Sequence, residues 1–163
     1  MLKRILLIFL IILLAIQFIR PAKNIHQGPQ PYDISTVYAV PPGVDSILVK
    51  ACNDCHTNNT RYPWYNNLQP VAWFLDNHVK DGKKSFNLNQ FATYTAARKY
   101  DKIKEVKKQV DKGEMPLSSY TLIHRDAHLT DVEKNELFAW SESIRKQMEA
   151  QYPKDSLEEK RDH

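Results

Sequence analysis

Hydrophobic positions are spread very unevenly along this chain. An apolar run from Ile5 to Ile19 opens it, preceded by Lys3 and Arg4 and closed by Arg20 and Pro21. No polar face interrupts the run, so it reads as a positive n-region followed by an h-region rather than as a core helix. The positions Gln17, Phe18, Ile19 and Arg20 lack the small residues of a cleavage site. Residues 1–20 are therefore expected to be a signal anchor or transmembrane helix with its basic end inside. The rest of the chain then lies on the periplasmic side of the inner membrane, or in the periplasm outright if the segment is removed. At about 1.5 Å of rise per residue the run is short for a hydrocarbon layer about 30 Å thick. Snorkelling of Lys3, Arg4 and Arg20 is expected to make up the difference.

Residues 21–44 are rich in Pro, Gly and Gln and end in "YAVPPGV". Proline fixes φ and removes donors, so this stretch is expected to be an extended periplasmic linker. Beyond it the apolar positions fall into helical register. Asp45 or Ser46 is placed to N-cap a short helix carrying Ile47, Leu48 and Ala51. A second helix opens at Pro70, with Gly82 as its expected stop. Tyr100, Ile103, Val106 and Val110 recur at helical spacing ahead of a stop at Gly113. Thr130 and Glu133 make a capping box in front of Leu137, Trp140, Ser141 and Ile144, which share a face. No stretch alternates over a strand's length. The expected fold is all-α, with one domain over residues 45–150 and a charged, flexible tail over 151–163.

A chain of 163 residues has room for one domain and a small appendage. Because aliphatic residues concentrate at the N-terminus, the domain's own core is modest and calls for a filler. The formal net charge is +4, but no recognisable nucleic-acid module accompanies it, and nucleic acid is set aside as a partner. There are two cysteines, and a bridge across two intervening residues closes too small a loop to stabilise much.

Those cysteines, Cys52 and Cys55, stand in "CNDCH" with His56. A structural zinc site would have to complete its four ligands from scattered histidines, at a spacing that matches no common zinc module. A thioredoxin-like redox pair expects a strand before the motif and a βαβ context after it. Covalent haem c fits best. Two thiols separated by two residues can add across the vinyl groups of one haem, and the adjoining histidine then falls beneath the iron. Burying that apolar disc, at about 25 cal/mol per Å², would supply the filler that the core lacks.

For the sixth iron ligand the expected residue is Met115, in "KGEMPL", on a loop between a helix stop and Pro116. His124 and His78 are reserves, whereas Met148 sits near the frayed tail. His124 and His128 stand four apart, a helical same-face spacing, but Arg125 replaces the glutamate of an H-E-x-x-H site and leaves catalytic zinc unsupported. Arg61, Tyr62, Trp64 and Tyr65 closely follow the motif and are candidates to wall the haem edge or bind its propionates. The segment "RKYDKIKEVKKQVDK" has seven basic residues against three acidic ones, a solvated face that could also dock an acidic redox partner.

Together "CNDCH", "TRYPWYNNLQPVAWFLDNHVKDGKKSFNLNQF" and "KGEMPLSSYTLIHRDAHLTDVEKNELFAW" resemble the small haem-binding domain proteins of bacterial envelopes, related to class I c-type cytochromes. The resemblance runs from about Cys52 to Trp140. It implies a cytochrome c-like helical domain around one covalent haem, with Cys52, Cys55 and His56 as attachment and proximal residues. Met115 matches the distal methionine by loop context and position. The expected function is a membrane-anchored monohaem cytochrome that passes single electrons to redox proteins of unknown identity, rather than a catalyst. The alternative is a peroxidase-like haem enzyme, or a haem or gas sensor, with a labile distal ligand.

Overall fold

Two long helices carry the periodic apolar positions of the C-terminal half. The computed structural model of the chain describes residues 1–158, and the seven α-helices among them, joined by short 3-10 turns, confirm the all-α expectation. In order they are α1 (Leu2–Ile16), α2 (Pro42–Ala51), α3 (Asn53–His56), α4 (Val71–Ser85), α5 (Ala96–Asp111), α6 (Ser118–Thr121) and α7 (Asp131–Gln151).

The α7 capping box forms as its sequence requires. Glu133 N–H donates to Thr130 Oγ1 at 3.3 Å and Thr130 N–H to Glu133 Oε2 at 2.9 Å, satisfying donors that the first turn leaves free. Leu137, Trp140, Ser141, Ile144 and Met148 are buried on one face. Against them α5 lays Ile103 and Val110, and α2 lays Val44, Ile47 and Leu48. A 3-10 turn at Leu88–Thr93 adds Leu88 and Phe91. Each such side chain contributes about 1.5–3 kcal/mol on burial, so this cluster dominates the fold.

Three sequence expectations change. First, α2 starts at Pro42, not at Asp45 or Ser46, because proline suits the first helical position and Asp45 then strengthens the first turn. Second, residues 21–44 do not form a free linker. Ile34 and Tyr38 are buried in the core, Trp140 Nε1–H donates to Ala39 O at 3.0 Å, and Ile25 forms an antiparallel bridge with Asn59. Prolines keep a long helix from forming over 21–41, but the strap there, with a short 3-10 turn at Ile34–Thr36, is free to pack. Third, the tail begins in a 3-10 turn at Lys154–Ser156 and buries Leu157; the remainder of the expected flexible tail, 159–163, lies outside the described residues.

The N-terminal segment forms α1 with no buried residue. It ends at Ile16, and among the described residues no helix is long and apolar enough to cross a membrane. Its C-terminal end is tied to the domain. Gln69 N–H donates to Gln17 Oε1 at 2.9 Å, and Gln69 Nε2 donates to Ile19 O at 2.6 Å.

Candidate functional site

At the end of α2 the chain turns at Cys52, and α3 follows as a single helical turn. Helical spacing within that turn puts Cys52, Cys55 and His56 on one face, while Asp54 lies behind them on the Tyr120 side of the crevice they border. The first three are half-buried at its edge. Asp54 points back into the protein, where it is 5 % exposed. Its Oδ1 accepts from Arg61 N–H at 3.0 Å and Arg61 Nε–H at 3.1 Å, and its Oδ2 accepts from Tyr120 Oη–H at 2.7 Å.

Helix α4 supports this turn at van der Waals distance. A side chain at Gly82 would put its Cβ 2.6 Å from the Cys55 carbonyl oxygen and 3.1 Å from its carbonyl carbon, which are backbone atoms that cannot swing aside. Gly82 therefore does not stop α4, which runs on to Ser85. It is glycine because two backbones meet there. Immediately beyond α4, Phe86 O lies 2.9 Å from His56 Nδ1. A carbonyl only accepts, so Nδ1 carries the proton and Nε2 keeps its lone pair for a metal. Burial holds the His56 pKa below its ordinary value, against the opposing pull of the Phe86 and Gly82 backbone groups. The net effect favours the neutral ring that a ligand requires. Burial also pushes the Cys52 thiol up to about 12 and the Cys55 thiol up to about 11.

Two cavities of about 300 and 320 Å³ meet here, sharing Cys52, His56 and Met115 in their linings. The first is walled chiefly by Leu48, Phe86, Leu88, Val106, Val110 and Leu129. The second adds Cys55, His78, Gly82, Leu117 and Tyr120. They are two lobes of one largely apolar crevice.

Met115 reaches it through the end of α5. Gly113 adopts φ 71°, its N–H donates to Val110 O at 3.1 Å, and Glu114 N–H donates to Gln109 O at 2.9 Å. This is a Schellman turn, in which the left-handed glycine reverses the chain. Two residues later Met115 stands at the crevice, half-buried against the core.

The other expected site residues go elsewhere, except His78, which lines the second lobe with its Nδ1 2.8 Å from Phe74 O. Neither lobe is lined by Arg61, Tyr62 or Trp64. Arg61 is committed to Asp54, Tyr62 Oη accepts from Asn24 N–H at 2.6 Å, and Trp64 is 75 % exposed. Tyr65 Oη lies 2.6 Å from His124 Nε2, and His124 stacks on Tyr120 at 4.3 Å. His124 and His128 flank a 3-10 turn, not a shared helix face. Met148 is fully buried in the core. Conversely, sequence reasoning missed the Phe86 carbonyl, which has no side-chain signal, and the Asp54–Tyr120 pair, separated by 66 positions.

The donor set is a neutral imidazole, a thioether and two thiols around an apolar crevice. It suits a haem, and among the described residues no group of three or more His, Cys, Asp or Glu side chains is gathered to hold a bare metal ion. A model of the haem-binding domain family matches residues 11–143. The chain is similar to cytochrome c peroxidase Ccp of Escherichia coli (strain K12), with 29 % identity over 94 residues, or 56 % of this chain. It spans about a fifth of that protein's length, 20 %. No solved structure matches.

Proposed function

We infer the function from two facts together: the chain belongs to the haem-binding domain family, and Cys52, Cys55, His56 and Met115 line one apolar crevice. The reading is a monohaem c-type cytochrome, anchored by its N-terminal segment on the periplasmic side of the inner membrane, that exchanges single electrons with redox proteins. Cys52 and Cys55 would each add sulfur and hydrogen across one vinyl group, forming two thioethers. His56 would ligate through Nε2 and Met115 through its sulfur. The observation that carries this is the Phe86 carbonyl at 2.9 Å from His56 Nδ1, which dedicates the opposite nitrogen to the crevice. A haem with histidine and methionine ligands supplies one-electron exchange at a raised potential. The chain's own part is to hold those ligands, to exclude water with Leu48, Leu88, Val106 and Leu129, and to keep the imidazole neutral.

A peroxidase-like or sensing role is the second reading, favoured by the similarity to cytochrome c peroxidase Ccp. It requires Met115 to be labile. The deciding experiment is a pyridine haemochrome spectrum on protein matured with a cytochrome c assembly system, beside Cys52→Ser with Cys55→Ser. Haem that resists acidified organic solvent in the wild type, and extracts from the double variant, is the expected result. Free extraction from the wild type would refute covalent attachment. A methionine-to-iron charge-transfer band supports the carrier; a high-spin spectrum that binds cyanide or CO readily supports the second role.

A further inference from the structure

The domain exposes large apolar side chains where α1 ends. Gln17 and Ile19 are hydrogen-bonded to Gln69, which brings the exposed Phe18 and Ile19 beside Leu68 and the start of α4. Phe74, one turn further, is also exposed. The Tyr65–His124 hydrogen bond draws in a second segment, where Leu122 is 76 % exposed and Ile123 is exposed as well. Trp64, 75 % exposed, packs edge-on against the Tyr65 ring that makes this bond.

We propose that this face is a membrane-seating surface, on which the domain rests in the lipid headgroup region with Trp64, Leu68, Phe74 and Leu122 inserted beside the end of α1. The placement rests on the bilayer anchoring of α1 proposed above. Three observations favour lipid over a protein partner. The apolar face continues that of α1 through hydrogen bonds to a folded residue, not through a free linker. The 15 residues of α1 rise about 22 Å, less than a hydrocarbon layer of about 30 Å, so an α1 anchored from its basic end reaches no farther than the headgroup zone and holds the domain against the bilayer. Exposed Arg20 and Lys23 flank the patch, matching anionic headgroups, and tryptophan favours that interface.

The test uses the full-length, haem-loaded protein in phosphatidylglycerol–phosphatidylcholine vesicles carrying a lipid with a photoreactive group at headgroup depth. Labelled peptides are mapped by mass spectrometry. Residues 64–74 and 122–123 should label together with α1, at least roughly five-fold above the exposed face of α7 near Lys146. Leu68→Ser with Leu122→Ser should reduce the 64–74 and 122–123 labelling and leave α1 labelling and the visible spectrum unchanged. Label confined to α1 on vesicle-bound protein would overturn the seating and leave this face to a protein partner. Protein that stays in the supernatant unlabelled would overturn the anchoring, and the seating with it.

Discussion

His56 Nδ1 lies 2.9 Å from the Phe86 carbonyl oxygen, so the ring is oriented by a backbone group that no side-chain substitution removes. His56→Ala in the haem-loaded protein should convert a low-spin spectrum to a high-spin one while the thioethers keep the haem. Added imidazole should restore the low-spin bands. Visible absorption and electron paramagnetic resonance check this, and an unchanged wild-type spectrum in the variant would rule His56 out as a ligand.

Gly82 makes a close backbone contact beneath the Cys52–His56 turn. Its would-be Cβ meets the Cys55 carbonyl oxygen at 2.6 Å, so Gly82→Ala must push α3 and α4 apart. Overpacking of this kind costs about 1–3 kcal/mol. Urea denaturation should show that loss together with a lower yield of haem-loaded protein. Stability equal to wild type would mean that the two helices do not meet this closely.

The Schellman turn at Gly113 positions Met115. No atom lies within 4 Å of the position a Cβ would take, so Gly113→Ala carries only the backbone cost of the left-handed conformation, about 1–2 kcal/mol. Gly113→Asn should cost less, because asparagine tolerates that region better. Met115→Ala should instead leave folding nearly intact and abolish the methionine-to-iron band. If that band survives, another residue is the sixth ligand.

Asp54 makes an exposed ion pair with Arg61 and a more buried hydrogen bond with Tyr120, which differ in magnitude. Arg61 is largely exposed, with a side chain 58 % accessible, so Arg61→Ala should cost under about 1 kcal/mol. Asp54→Ala also strands the half-buried Tyr120 hydroxyl and should cost about 1.5–3 kcal/mol. Equal losses in chemical denaturation would show that the solvent-exposed partner carries the energy.

Tyr120 also sets an alkaline limit. Burial, then the hydrogen bond to Asp54, push its phenol above the ordinary value of 10.0. A raised folded pKa stabilises fully below the unfolded value and is lost as pH rises, because the unfolded chain ionises first. Stability should therefore fall above about pH 10, and less steeply in Tyr120→Phe. The decline should persist in part, since burial raises Tyr38 and Tyr65 as well. An identical pH profile for Tyr120→Phe would remove it from this role.

Much of the architecture was legible because its causes are local. The α7 capping box needs only Thr130 and Glu133 three residues apart, and the Gly113 stop needs only a glycine after a periodic run. Cys52, Cys55 and His56 are visible for the same reason, since one helical turn decides which of them share a face. Gly82 was misread because a helix stop and a close backbone approach have the same one-letter signature. The strap over residues 21–44 was misread because prolines report what a segment cannot form, not what it packs against.

The sequence by itself determined the all-α class, the two capped helices, and the Cys52–Cys55–His56 cluster proposed to hold the haem. Only the tertiary structure decided that Phe86 orients His56, that Asp54 serves Arg61 and Tyr120, and that Met115 enters the same crevice while His124 is held by Tyr65. The reason is range. Capping and helical spacing act over three or four residues, but an acceptor, a cavity wall or a ligand pair is made by segments that only the buried core brings together.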